Sequence, residues 1–308
     1  MSEGGRFHVF STHSGVTTAS CAHKALIHLE NWTRGPALFP KLPAWARAEV
    51  PLARPDDFWA PDVIKIGSQH RLYYSVSSFG SQVSCIGLAV ASGSNVSTGA
   101  FLDHGAVICS SEESAYNAID PCPFVSRTEN GTQRHWLTFG SFWQGIFLAE
   151  LETKTGLIKP GNRTFGPLAQ HYSAQEGGIE ASYVMPHGGY FFLFVNWGWC
   201  CRGVQSTYQI MVGRSRGPTG PYTDLEGRDL ATGGGSLFLA SHTPDAPNQI
   251  GPGQLGIVQS TNATNLFTYH YYDANNGGQP TLGMREMRWS SVAGVGLWPS
   301  VGKVVSHH

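Results

Sequence analysis

The sequence predicts an all-β protein, a five-bladed β-propeller, and three observations carry that expectation. The first is a recurring acid ahead of a short apolar run. Asp62 precedes Val63-Ile64-Lys65-Ile66, Asp120 precedes Pro121-Cys122-Pro123-Phe124-Val125, and Glu180 precedes Ala181-Ser182-Tyr183-Val184-Met185. The intervals are 58 and 60 residues, a period that marks repeat architecture. The second is composition: 38 Gly, 9 Trp and 12% aromatic residues suit short strands, tight turns and an aromatic-lined site. The third is that each repeat holds three or four apolar or alternating runs separated by turn residues. Radial repetition of such sheets is a propeller.

The elements follow in order. Phe7-His8-Val9-Phe10-Ser11-Thr12-His13 alternates as a strand, and Ala25-Leu26-Ile27-His28-Leu29 is a second run of the first unit. Residues 33–57 carry prolines at 36, 40, 43, 51 and 55 and read as an irregular connection, with a short helical turn at Leu42–Ala46. The second unit comprises 63–66, 71–76, 85–91 and an outer strand at 106–108. The third comprises 124–125, 135–141 and 145–151. The fourth comprises 183–185, 190–195 and 208–215, closed by Gly217–Tyr222. The fifth comprises 251–259, 266–273, 282–289 and an outer run at 302–306. The whole chain, 1–308, is expected to be one propeller domain whose first blade is incomplete at its N-terminus.

Bulk properties narrow the function. Net charge is −1 with 13% charged residues, which excludes the basic footprint of a nucleic-acid binder. No apolar run approaches a membrane span, and Met1–Arg6 has no apolar core of a signal peptide. Six cysteines (Cys21, Cys85, Cys109, Cys122, Cys200, Cys201) include no C-x-x-C pair, so a structural zinc site is not expected. The adjacent Cys200-Cys201 reads either as a vicinal disulfide or as two half-buried thiols. Asn-x-Ser/Thr acceptors begin at Asn31, Asn95, Asn130, Asn162 and Asn262, compatible with secretion.

In a propeller the first strand of each blade lies nearest the axis, so Asp62, Asp120 and Glu180 are expected around one mouth of the channel. Carboxylates in an aromatic-lined pocket suit glycoside hydrolysis. One acid protonates the leaving oxygen and a carboxylate activates water on the opposite face of the sugar, while aromatic faces stack on apolar faces of the rings. The competing reading is that these acids cap strands or bind turn amides.

Trp59-Ala60-Pro61-Asp62-Val63, Asn117-Ala118-Ile119-Asp120-Pro121, Ile179-Glu180-Ala181-Ser182-Tyr183 and Cys200-Cys201-Arg202-Gly203-Val204-Gln205-Ser206-Thr207-Tyr208 together resemble the five-bladed arabinanases of glycoside hydrolase family 43. The resemblance runs from about residue 5 to the C-terminus. It implies inverting hydrolysis of 1,5-α-L-arabinan, with Glu180 as general acid and Asp120 as the acid that raises its pKa and orients the site. It makes Phe58, Trp59 and Trp143 candidates for stacking on arabinose. Asn117, Ser141, Asn196 and Ser206 become candidates for hydroxyl contacts, against a reading as turn or core residues. It further implies a secreted monomer whose partner is arabinan or arabino-oligosaccharide, with no nucleic acid and no membrane.

Two departures bear on activity. The family's general base is an Asp in a His-Asp-Pro type motif just upstream of where this chain starts. Glu3 is not assigned to that role, so the chain is expected to be impaired and less stable than one extended upstream. Gln254 stands where the family has a His serving a cation in the channel. A hard ion such as calcium tolerates an amide oxygen, and His270 is a second inward candidate. A non-catalytic arabinan-binding propeller and a xylan- or arabinoxylan-directed hydrolase are the alternatives.

Overall fold

The computed structural model describes all residues except 1, 4, 5, 15, 16, 23–31, 38, 40, 93–100, 162, 163, 174, 260–264, 307 and 308. The run Ala25–Leu29 and four of the five Asn-x-Ser/Thr acceptors therefore lie outside the described residues. Asn130, the fifth, is exposed in a turn.

Strands dominate. In chain order they are β1 (Ser2–Glu3), β2 (Arg6–Ser11), β3 (His13–Ser14), β4 (Thr17–Ala22) and β5 (Trp32–Ala37), followed by the short helix α1 (Ala44–Glu49). Next come β6 (Asp57–Ile66), β7 (Gln69–Val76), β8 (Ser84–Ser92) and β9 (Leu102–Ser110), then β10 (Cys122–Arg127), β11 (Gln133–Phe139), β12 (Ile146–Leu151) and β13 (Phe165–Ala169). The last eight are β14 (Gly178–His187), β15 (Tyr190–Gly198), β16 (Gln209–Ser215), β17 (Ser236–Leu239), β18 (Gln249–Gln259), β19 (Asn265–Asp273), β20 (Gln279–Val292) and β21 (Gly296–Ser306).

These strands form sheets in the orders β1-β2-β4-β5, β3-β6-β7-β8-β9, β10-β11-β12-β13, β14-β15-β16-β17 and β18-β19-β20-β21. The expected five-bladed propeller is corrected by this pattern. The all-β class holds, but the described residues build four four-stranded blades, not five. The remaining sheet has five strands, because β3 adds to β6 through His13↔Phe58 and Ser14↔Asp57. Counting every unit of three or four apolar runs as an equal blade missed this, since a two-residue strand has no period to recognise.

Two smaller expectations are also corrected. Residues 33–37 belong to β5, not to an irregular connection; β5 is the outer strand of its sheet, where Pro36 removes no interior ladder bond. The outer strand after β16 is Ser236–Leu239, not Gly217–Tyr222.

The described residues form two compact units, one within Glu3–Ala22 and Trp32–Pro167, the other within Leu168–His308. In the first, Tyr73, Ile86 and Leu88 meet Leu137, Phe139 and Phe147 in a shared core. Buried Arg71 reaches across to the carbonyls of Thr153 and Lys154 at 2.8 and 2.7 Å. A disulfide joins Cys85 and Cys109, which stand opposite each other on β8 and β9. In the second unit Phe192, Phe194, Ile210 and Val212 pack with Leu255, Phe267, Tyr269 and Tyr271.

Candidate active site

A backbone device recurs in or just before one strand of four sheets, β6, β10, β14 and β18. Ala60, Asp120, Ala181 and Gln254 all have positive φ, at 40°, 57°, 55° and 54°. At three of them the ladder is interrupted, between Trp59 and Asp62, between Glu180 and Tyr183, and on either side of Gly253. Non-glycine residues in the left-handed region cost energy, and such sites collect where function fixes the backbone. A bulge there re-aims the neighbouring side chains.

This device corrects the phase read from sequence. Asp120 is itself the left-handed residue and Glu180 directly precedes one, whereas Asp62 lies two residues beyond Ala60, inside β6. The backbone equivalent of Asp120 in that sheet is Ala60. Asp62 is therefore spent differently. Its carboxylate accepts from the Val63 amide at 2.8 Å. Burial pushes its pKa up to about 7, opposed by the Val63 amide and by a hydrogen bond with Cys122.

Because that value lies above the ordinary 3.8, the fold prefers the protonated form. The stabilisation is complete below the unfolded value and is lost as pH rises through the folded one. Asp62→Asn, which keeps an acceptor for Val63, is expected to remove this loss, worth about 2 kcal/mol for a half-buried group. Urea midpoints of both forms, measured between about pH 4 and pH 8, check it; parallel pH slopes would contradict the assignment.

In the first unit the segment leading to Asp120 is strung between strands of two sheets. The Ala118 amide donates to Ser110 Oγ at 2.9 Å and the Asp120 amide to Ser75 Oγ at 3.0 Å, while Gly140 N–H donates to the Ile119 carbonyl at 2.9 Å. Asp120 is 7% exposed. Asn117 is buried, and its Oδ1 finds no partner among the described residues, which leaves an acceptor beside Asp120. Ser141 is also buried. Phe142 and Trp143 follow in consecutive left-handed conformations that lift the Trp143 ring out, 46% exposed.

The other two stacking candidates differ from each other. Phe58 is fully buried, stacked on Phe39 at 5.7 Å and edge-on to Tyr74 at 5.4 Å, so it serves the core and presents no face to a sugar. Trp59, its neighbour on the opposite face of the strand, lines a groove of ≈ 350 Å³ with Leu52, Arg54, Asp57, Ser77 and Phe79. Phe79 is 83% exposed there. Sequence reading missed it because it lies in a turn outside any apolar period.

In the second unit Glu180 is half-buried on β14, opposite Asn196 on β15. Asn196 is committed on both ends of its amide: Nδ2 donates to the Pro252 carbonyl and Oδ1 accepts from the Gln254 amide, each at 3.0 Å. It thus ties β15 to the bulge of β18. Ser206 is buried and accepts from the Arg202 amide at 3.0 Å. Both polar groups serve the scaffold around Glu180. Cys200 and Cys201 form a vicinal disulfide, and the Cys201 amide donates to Tyr272 Oη at 2.7 Å. Tyr272 is not among the residues that the sequence singles out, although it lies two positions beyond His270 in the same predicted run.

The cation candidates meet only in part. His270 pairs with Gly253, next to Gln254. Its Nε2 is enclosed and without a partner among the described residues, and burial lowers the ring to about 4, leaving it neutral. Among the described residues no three His, Cys, Asp or Glu side chains gather for a metal. One imidazole nitrogen and one amide oxygen do not make the oxygen-rich shell that calcium requires, so these two residues do not fit that ion by themselves.

Sequence and structure comparisons agree on ancestry. The chain is 38% identical over 273 residues, 88% of its own length and 76% of the relative's, to the extracellular endo-α-(1→5)-L-arabinanase 1 of Bacillus subtilis. It is 33% identical to the extracellular exo-α-(1→5)-L-arabinofuranosidase ArbA of Cellvibrio japonicus, covering 97% of this chain and 84% of that one. Among solved structures, the Cellvibrio cellulosa α-L-arabinanase complexed with arabinohexaose aligns with a TM-score of 0.85 at 31% identity, over 98% of this chain and 93% of that one. The sequence profile of glycosyl hydrolases family 43 matches residues 4–291, and the chain belongs to that family.

Proposed function

We propose that this protein is a secreted hydrolase of 1,5-α-L-arabinan in which Glu180 is the general acid and Asp120 sets its protonation and orientation. The observation that supports it most is the placement of these two acids. Of the three acids that recur with the repeat, they alone sit at or directly beside a left-handed residue. The relatives' names supply the substrate class, since both an endo-arabinanase and an exo-arabinofuranosidase of 1,5-linked arabinan stand among them. Trp143 and the Trp59–Phe79 groove offer aromatic faces for furanose rings. With one acid as proton donor and water as nucleophile, the products are inverted.

The test is hydrolysis of linear 1,5-α-L-arabinan beside xylan and arabinoxylan, with product lengths followed over time. Release of arabino-oligosaccharides of mixed length from arabinan alone supports an endo-acting arabinanase. Release of a single short product assigns exo action. Equal or faster cleavage of xylan overturns the substrate assignment, and no cleavage of any of the three overturns the reading as a hydrolase.

A further inference from the structure

In the first unit one buried cation meets no opposite charge. Arg71 lies on β7 and is 3% exposed. Its Nη2 donates to the Thr153 and Lys154 carbonyls at 2.8 and 2.7 Å and reaches Gln69 Oε1 at 3.5 Å. Nε and Nη1 are enclosed and find no acceptor among the described residues. All the acceptors that Arg71 does have are neutral oxygens. Glu150, next to Leu151 on β12, is taken by Arg134 and Lys159 at 2.6 and 3.4 Å. A guanidinium does not escape burial by losing its proton, and a buried charge is costly unless it is paired.

Beside it there is space for one small partner. Arg71 lines a crevice of ≈ 10 Å³ with Ile64, Tyr73, Phe124, His135 and Leu151, which come from β6, β7, β10, β11 and β12. The guanidinium is held in place there. Tyr73 Oη donates to the Gly156 carbonyl at 2.8 Å, and Gly156 packs so closely that a Cβ on it would lie 3.1 Å from Arg71 Cδ. The volume suits a single water-sized occupant and is too small for a sulfate, a phosphate or a carboxylate group. His135 adds no second cation, because burial, followed by the charge of Arg71, holds its pKa below the usual range. Water in the crevice accepts an N–H but leaves the charge unmatched. A monatomic anion accepts N–H groups and matches the charge as well.

We propose that Arg71 and the crevice beside it form a halide site, filled by chloride. The ion accepts from the N–H groups of Arg71 that have no other acceptor. It lies where β6 and β7 face β10, β11 and β12, and so joins two sheets of the first unit. The segment leading to Asp120 is strung between the same two sheets, through Ser75, Ser110 and Gly140. Chloride thus stabilises the frame that carries Asp120 without entering the reaction.

Thermal unfolding of the full chain tests this, with gluconate replaced stepwise by chloride at constant ionic strength. An anion that binds only the folded state raises Tm as its concentration passes Kd. Between no chloride and about 0.1 M, Tm should rise by about 3 °C. Arg71→Met should abolish the rise. Crystals grown with bromide in place of chloride give a second reading that needs no variant: an anomalous peak at hydrogen-bond distance from Arg71 places the ion. Equal Tm in chloride and gluconate overturns the proposal, and with such a peak would mean binding at crystal concentration only. A rise that persists in Arg71→Met puts the ion elsewhere and overturns it too. Density at Arg71 without anomalous signal is a water and does the same, even where Arg71→Met fails to fold.

Discussion

Glu180→Gln is expected to lower kcat/KM on linear 1,5-α-L-arabinan by about 10²–10⁴-fold, the range for a lost general acid. The arabinose leaving group departs as an alkoxide unless it is protonated as the bond breaks, so the loss should fall on kcat. An aryl arabinofuranoside with an acidic phenol departs without help, and its hydrolysis should fall far less. That contrast identifies a proton donor, because a residue needed only for binding or folding would affect both substrates alike. Stability should be unchanged. Glu180 is half-buried, and Asn196 opposite it is held by Pro252 and Gln254 whatever stands at 180. A Glu180→Gln protein that retains activity on arabinan would remove Glu180 from the mechanism.

What was legible in the sequence was the part governed by local pattern. The apolar runs located β6 to β9, β10 to β12 and β18 to β21, because their residues alternate or run unbroken between turn signals. The edge strands were less legible. β13 carries Gly166 and Pro167, and β17 exposes Leu237, so neither presents a two-residue period. The matched spacing of Asp62, Asp120 and Glu180 was real as a count of residues and misleading as geometry. A bulge shifts register without changing the number of residues between repeats, and left-handed φ at Ala60 or Ala181 leaves no mark in residue type. Phe58 and Trp59 show the same limit. They are equal in sequence, yet pleating sends one into the core and the other to a groove. The Cys85–Cys109 bridge depends on strand register alone, with 24 residues of separation giving no hint.

The same blindness hides a buried cation, and it sets the largest expected effect on stability. Arg285 lies in the predicted run 282–289, where its residue type gives no sign of burial, yet it is 2% exposed. Its Nη1 and Nη2 grip both oxygens of Asp245 at 3.0 and 2.9 Å, Nη2 also reaches Thr243 Oγ1 at 2.8 Å, and Nε donates to Tyr269 Oη at 3.0 Å. Tyr269 in turn donates to Gln249 Oε1 at 2.7 Å. Asp245 is 50% exposed on its side chain and leaves little uncompensated when it loses its partner, whereas Arg285 cannot reach water. The two halves of the pair are therefore unequal. Asp245→Ala strands a buried guanidinium and should cost about 3 kcal/mol, while Arg285→Met, which fills the space with apolar atoms, should cost less than about 1.5 kcal/mol. Partial burial draws the Asp245 carboxyl upward, but the bonds from Arg285 and Thr243 outweigh it and hold its pKa below the usual carboxylate range. The stabilisation is thus present above the unfolded value and is lost as pH falls through the folded one. Urea unfolding of both variants at neutral and acid pH checks both statements. The gap between Asp245→Ala and the wild type should narrow on acidification, and an Arg285→Met variant as unstable as Asp245→Ala would show that the guanidinium acts through packing and its neutral partners instead of through its charge.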